Sequence, residues 1–233
     1  QGVGTTIPVT IEEMEYHVRL VARANPKALI VGDLPFGSYH VNSEQGVRSA
    51  IQLIKAGASA VKLEGGTTMF DTIAAICRVD IPVMGHIGLT PQSVNAMGGF
   101  KVQGRNHEAA LALVDDAKAL AHAGCFSIVI EGVPDEVGRM ITESIDIPTV
   151  GIGAGSGCDG QVLVFHDVLG IEDRVLPKFV RRYADLGAEG VRALGAYADD
   201  VRSGRFPSAA ESYSLEARTA ETLGLYGTPI SPV

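Results

Sequence analysis

Ala56-Gly57-Ala58-Ser59-Ala60-Val61-Lys62-Leu63-Glu64 and Ala123-Gly124-Cys125-Phe126-Ser127-Ile128-Val129-Ile130-Glu131 follow one pattern. In each, an Ala-Gly pair closes a stretch of helical period, a short apolar run follows, and a glutamate stands seven residues after the glycine. A glycine just past a helix and a β-rich run after it spell helix, turn, strand. The next strands echo as well: Asp80-Ile81-Pro82-Val83-Met84-Gly85 matches Asp146-Ile147-Pro148-Thr149-Val150-Gly151, 66 residues apart against 67 for the two glutamates. A recurring unit of two βα repeats is the trace a barrel of equivalent segments leaves in its sequence. Chance likeness between βα units is the alternative.

Working outward, six runs read as strands, at residues 28–31, 60–63, 83–85, 127–130, 149–152 and 162–165. Amphipathic stretches separate them, the alternation of a parallel α/β fold. Thr10 with Glu13 forms a capping box at one helix start, and another helix runs from Asn106 to Gly124. Beyond Pro177 the strands stop, helical sequence continues to about Gly204, and residues 206–233 hold room for one helix before a Gly/Pro-rich end. The expected fold is a (β/α)8 TIM-type barrel over residues 1–205, with a C-terminal extension over residues 206–233. Six strands do not close an eight-stranded barrel, and Gln1 is not an initiator Met. The first two βα units are therefore expected to be missing from the chain.

The 233 residues are 46% hydrophobic and 20% charged, with a formal charge of −8, which fits an acidic globular protein and argues against disorder or nucleic-acid binding. Three cysteines without a CxxC pair argue against a disulfide framework and point to a reducing, cytoplasmic compartment. No apolar run reaches the roughly 18 residues of a membrane span.

Polar residues recur where strands end: Asp33, Lys62 with Glu64, His86, Glu131 and Asp167. In a (β/α)8 barrel that end carries the active site. Side chains alternate along a strand, so Lys62 and Glu64 share a face, Glu131 opposes Ile128 and Ile130, and His86 goes with Met84. Asp33 and Glu64 offer hard oxygen donors that suit Mg²⁺ better than zinc or copper, with an N-cap or loop salt bridge as the alternative. Lys62 is either a partner of Glu64 or a fixed cation for a substrate carboxylate. Glu131, alone in an apolar strand, is suited to a general base or to a buried structural role. His86 reads as a packed, hydrogen-bonded histidine. The glycines from Gly151 to Gly157 resemble a phosphate loop without its Lys-Ser/Thr, and close packing explains them equally well. Residues 88–105 form a long connection of the lid or binding-loop kind.

The words Asp33-Leu34-Pro35-Phe36, Val61-Lys62-Leu63-Glu64-Gly65-Gly66, Gly85-His86-Ile87-Gly88-Leu89-Thr90-Pro91-Gln92-Ser93-Val94-Asn95, Lys101-Val102-Gln103-Gly104-Arg105, and Gly151-Ile152-Gly153-Ala154-Gly155 with Cys158-Asp159-Gly160-Gln161 resemble the ketopantoate hydroxymethyltransferase family. The resemblance runs from about Gly2 to Pro207. It implies a Mg²⁺-dependent transferase of pantothenate biosynthesis that passes a hydroxymethyl group from 5,10-methylenetetrahydrofolate to 3-methyl-2-oxobutanoate through a Mg-stabilised enolate. It further implies a (β/α)8 barrel assembled as a homo-oligomer, a decamer of two pentameric rings. Matched by motif, it assigns Asp33 to metal and substrate, Lys62 to substrate, Glu64 to the metal and Glu131 to proton abstraction. The family's Gly-Asp-Ser segment, which supplies another ligand, has no counterpart here, since Gly32-Asp33-Leu34 matches the following strand. Two other readings compete: a relative of the phosphoenolpyruvate mutase and isocitrate lyase group, whose lyases carry a Lys-Lys-Cys-Gly-His word absent here, and a non-catalytic assembly subunit.

Overall fold

The computed structural model describes residues 2–172 and 175–225. The chain divides into two compact units, Gln1–Val164 with Leu176–Val180, and Phe165–Val175 with Arg181–Val233.

The first unit is built of alternating strands and helices. Helix α1 (Ile11–Arg23) opens with the expected capping box, the Thr10 hydroxyl accepting from the Glu13 amide and Glu13 accepting from that of Thr10. Strand β1 (Val31–Asp33) leads to α2 (Ser43–Ala56), β2 (Ala60–Lys62) to α3 (Phe70–Cys77), and β3 (Val83–Gly88) through the short α4 (Val94–Met97) to α5 (His107–Ala123). Strand β4 (Ser127–Glu131), α6 (Asp135–Glu143), β5 (Thr149–Ile152) and β6 (Gly160–Gln161) follow. Every sheet neighbour is also the next strand in sequence, all pairs are parallel, and β1 and β6 are the edges. Alternate side chains of β1 to β5 surround one cavity, so the sheet is curled into part of a barrel.

The sequence echo is a structural one. Gly57 and Gly124 end α2 and α5 in the left-handed conformation, at φ 113° and 106°, where a side chain is strained. The next amides, of Ala58 and Cys125, each donate to a carbonyl five residues back, Leu53 and Leu120, both at 3.1 Å. The Pro82 and Pro148 carbonyls accept from Val61 and Ile128, both at 3.0 Å. The branched residues of these strands, Val61, Leu63, Ile128 and Ile130, are fully buried with Leu53, Ile73, Ile76 and Leu120 beneath the helices. Burying such a side chain contributes about 1.5–3 kcal/mol.

Three strands differ from expectation, β3 by running on to Gly88 instead of ending at residue 85, because its ladder with β4 continues to the Gly88–Glu131 pair. The first begins at Val31 rather than residue 28, because Leu29 is exposed and the Ile30 carbonyl accepts from Ser59 and Ala60 ahead of the ladder. The run at 162–165 is no strand. Strand β6 pairs with β5 at Gly160 and Gln161, Val162 adds one bond to Gly151, and the exposed Val164 and Phe165 lead away.

The second unit contains α7 (Phe165–Leu169), α8 (Leu186–Arg202) and α9 (Ala217–Thr222). The helical reading up to Gly204 matches α8, and α9 is the helix expected in the tail. The Gly/Pro-rich end lies outside the described residues beyond 225. Asp167 sits within α7, buried, and not at a strand end.

Candidate active site

The carboxyl ends of the strands deliver two side chains each to one cavity of about 420 Å³: Val31 and Asp33 from β1, Lys62 and Glu64 from β2, Met84 and His86 from β3, Val129 and Glu131 from β4, Val150 and Ile152 from β5. The spacing of two within each pair is the strand period, and it puts an apolar residue below a polar one in three of the five pairs, those of β1, β3 and β4.

Lys62 Nζ lies 2.7 Å from Asp33 Oδ1, off the line of a hydrogen bond, so that this buried oxygen has no hydrogen-bond partner. Lys62 also comes within 3.5 Å of His86 Nδ1. His86, 3% exposed, stands between the two glutamates: Nδ1 is 3.7 Å from Glu64 Oε1 and Nε2 is 3.2 Å from Glu131 Oε2. Burial drives its ionisation down to about 3, Lys62 adding to the effect while Asp33 and the Leu89 carbonyl oppose it, so the ring is neutral. The His86–Glu131 contact is thus a polar contact of a neutral ring, and its geometry leaves Nε2 without an aligned hydrogen bond.

Both glutamates are pushed up to about 7. Burial is the largest cause for each; Lys62 pulls both down, while Asp33 raises both and Glu131 adds to the rise at Glu64. Glu64 is further steadied by the Gln92 amide, which donates to Oε2 at 2.9 Å. Tyr39, almost fully buried, accepts from the Glu64 amide and donates to Gln92 Oε1. Burial holds its phenol protonated.

The four residues singled out by sequence, Asp33, Lys62, Glu64 and Glu131, therefore share one cavity. His86 is drawn into contact with three of the site's ionisable groups, a closer involvement than packing alone. Gln92 and Tyr39 were not singled out. Gln92 lay inside a conspicuous word of the connection, but nothing in Gly37-Ser38-Tyr39-His40 marks the tyrosine. The connection at residues 88–105 carries a 3₁₀ turn (Pro91–Ser93) and α4. The glycine-rich segment is packing rather than a cradle: a Cβ on Gly155 would fall 1.8 Å from Asp135 Oδ1, and that carboxylate already accepts the Ser156 amide.

Among the described residues no cluster of three His, Cys, Asp or Glu is placed to hold a metal. Asp33 and Glu64 bring two carboxylates from adjacent strand ends, Asp33 Oδ1 being ion-paired with Lys62 but without an aligned hydrogen bond, and a hard cation that keeps several waters is satisfied by one or two carboxylates plus substrate oxygens. Asp33 and Glu64 fit Mg²⁺ on those terms.

The curled parallel sheet is shared with solved structures. Phosphoenolpyruvate phosphomutase from Streptomyces platensis subsp. rosaceus superposes with a TM-score of 0.52 at 14% identity, over 93% of this chain and 76% of that one. Phosphonopyruvate hydrolase gives 0.51 at 14% identity, over 94% and 76%. At such identity the likeness shows the fold alone, a TIM-barrel type of α/β protein.

Sequence comparison is more specific, and by it the chain belongs to the ketopantoate hydroxymethyltransferase family, whose profile matches residues 1–209. It is 53% identical over 214 residues to 3-methyl-2-oxobutanoate hydroxymethyltransferase 2 of Bradyrhizobium diazoefficiens, covering 92% of this chain and 73% of that one. The 3-methyl-2-oxobutanoate hydroxymethyltransferase of Ignicoccus hospitalis is 53% identical over 88% of this chain and 78% of its own length. That of Clostridium botulinum is 49% identical over 96% and 82%. Among the described residues no helix is long and apolar enough to cross a membrane.

Proposed function

We propose that the chain transfers a hydroxymethyl group from 5,10-methylenetetrahydrofolate to 3-methyl-2-oxobutanoate, with one water consumed, giving 2-dehydropantoate and tetrahydrofolate in pantothenate biosynthesis. The observation that carries this is Glu131, a carboxyl group held near neutrality by burial, opening into the same cavity as Lys62, Asp33 and Glu64 in a chain of this family.

Lys62 binds the oxo acid and favours negative charge developing on its ketone oxygen when the C3 proton leaves. Glu131 takes that proton. A base that ionises near 7 is both largely available and strong enough at neutral pH, and such a base contributes roughly 10²–10⁴-fold. One water opens the methylene bridge, its oxygen staying on the one-carbon unit while its two protons go to the folate nitrogens as both C–N bonds break. The C3 carbon then attacks the carbon of that unit, whose oxygen takes the proton from Glu131 to give the hydroxymethyl group. Asp33 and Glu64 are the residues that would hold Mg²⁺, which when bound supplies positive charge to the oxo acid's oxygens. Val31, Met84, Val129, Val150 and Ile152 form apolar walls that keep water from the reacting carbon. Folate lies over the cavity mouth beneath residues 88–105. A cytoplasmic decamer of two pentameric rings completes the reading, and sedimentation velocity checks it.

The purified protein is incubated with both substrates and Mg²⁺, and 2-dehydropantoate is measured by mass spectrometry. Product from the wild type and its near-total loss in Glu131→Gln is the expected result. No product from the wild type sinks the reaction, and undiminished product from the variant sinks the role of Glu131.

A further inference from the structure

One residue, Gln92, is tied to the two strand ends that bear Asp33 and Glu64. Its main-chain amide donates to Glu64 Oε2 at 2.9 Å. Its side-chain Nε2 donates, also at 2.9 Å, to the carbonyl of Leu34, the residue directly after Asp33. Its remaining amide oxygen accepts from the Tyr39 hydroxyl at 2.9 Å, and that same hydroxyl accepts from the Glu64 amide at 3.1 Å. The circuit is closed and dry: Leu34, Tyr39, Glu64 and Gln92 are all at most 7% exposed. Gln92 uses its main-chain donor and both ends of its side-chain amide in it, and the contacts span 28, 53 and 58 residues of sequence.

The fold does not need this circuit to pair its strands, since β1 and β2 are already joined by their own ladder up to Asp33 and Lys62. What the circuit adds lies beyond that ladder, where the Glu64 side chain leaves the sheet. Of the two carboxylate oxygens, Oε2 is committed to Gln92, and Oε1 is left on the side of His86. The rotamer of Glu64 is set by the main-chain amide, and the carbonyl next to Asp33 is held by the side chain, of one residue borne on the connection between β3 and α5.

We infer that Gln92, locked by Tyr39, is a positioning residue that fixes the separation of Asp33 and Glu64 and so tunes the affinity of the site for a hard divalent cation. This rests on the assignment of Asp33 and Glu64 to the cation. Partners that orient metal-binding side chains commonly change metal affinity 10–100-fold when removed. Because the connection at residues 88–105 carries Gln92, movement of that segment is coupled to the geometry of the two carboxylates.

The test measures the dissociation constant of Mn²⁺, by electron paramagnetic resonance of the free ion, in the wild type, Gln92→Met, Tyr39→Phe, Asp33→Asn and Glu64→Gln. Met keeps the length of Gln92 and its main-chain donor to Glu64 but loses the side-chain bonds to Leu34 and Tyr39 that hold that donor in place, and Phe removes a single hydroxyl. Two variants guard against one failing to fold, and the binding is read only on the folded, monodisperse fraction. Both are expected to weaken Mn²⁺ binding about tenfold or more. At saturating Mn²⁺ their kcat should return to within about threefold of the wild type, a rescue that general damage to the fold does not allow. Unchanged Mn²⁺ affinity in both, while Asp33→Asn and Glu64→Gln lose it, overturns the positioning role and leaves the site assignment standing. Unchanged affinity in Asp33→Asn and Glu64→Gln, or no binding to the wild type, overturns the site assignment and this inference with it.

Discussion

Glu64 and Glu131 occupy equivalent places in the two halves of an internal repeat, yet they are held in opposite ways. Each follows a helix that ends in a left-handed glycine, and each ionises near 7 because the barrel buries it. Glu64 is anchored through its side chain by the Gln92 amide and through its backbone by Tyr39. Glu131 meets the edge of a neutral His86 at 3.2 Å without an aligned hydrogen bond. The repeat decides where a carboxylate arrives; the unrepeated connections decide whether it is fixed, as a cation ligand needs, or left with a proton-accepting oxygen, as a base needs.

The largest effect should separate the two by substitution. Glu131→Gln is expected to lower kcat by roughly 10²–10⁴-fold while changing Mn²⁺ affinity by no more than about twofold. Glu64→Gln should weaken Mn²⁺ binding by at least about tenfold. If the two variants behave alike in both assays, the asymmetry is broken.

The pH dependence follows next. As the proposed base Glu131 would have to be deprotonated, so kcat/KM should fall about tenfold per unit once the pH drops below about 7, with His86 neutral throughout that range. A profile flat from pH 5 to 8 would contradict a base with a raised ionisation.

Stability should run the other way. A carboxyl whose folded value is raised from 4.5 to about 7 binds its proton more tightly when folded, so stability is lost as pH rises through that interval and is constant above it. His86, depressed from 6.5 to about 3, has the opposite slope, gaining stability as pH rises between those values. The difference between Glu131→Gln and the wild type cancels the histidine's part. Glu131→Gln should be more stable by about 1–2 kcal/mol at pH 8 and equal near pH 4.5, as thermal melts would show.

The smallest effect sharpens the comparison of the two repeats themselves. Gly57→Ala and Gly124→Ala should each cost about 1 kcal/mol for the left-handed backbone. The first should cost more, since its Cβ would fall 2.6 Å from the Ala22 methyl, against 3.2 Å from the flexible Cys77 thiol for the second. Chemical denaturation resolves the difference.

What was legible in the sequence was what periodicity encodes. A side-chain period of two predicts that Lys62 shares a face with Glu64 and that Glu131 opposes Ile130, and the cavity is lined accordingly. The helix starts at Thr10 and Asn106 were readable because capping is local chemistry. Residues 162–165 misled because exposed Val162 and Val164 mimic strand alternation, and sequence does not show that β5 offers them no further pairing beyond the Val162 amide. Asp167 was placed at a strand end by the same misreading. Tyr39 and Gln92 were not legible, because their partners lie 25 to 58 residues away and no repeat or period marks either one. His86 was visible as a residue but not as a contact, since its role depends on which two carboxylates the curl of the sheet brings to its ring.

The most direct test of the central claim, that Glu131 takes the C3 proton, leaves folate out altogether. 3-Methyl-2-oxobutanoate is incubated with the protein and Mg²⁺ in D₂O, and loss of the C3–H signal is followed by proton NMR. The wild type should exchange that proton, and Glu131→Gln should do so at least about a hundredfold more slowly while still binding Mn²⁺. Exchange at equal rates in the two proteins would contradict the account.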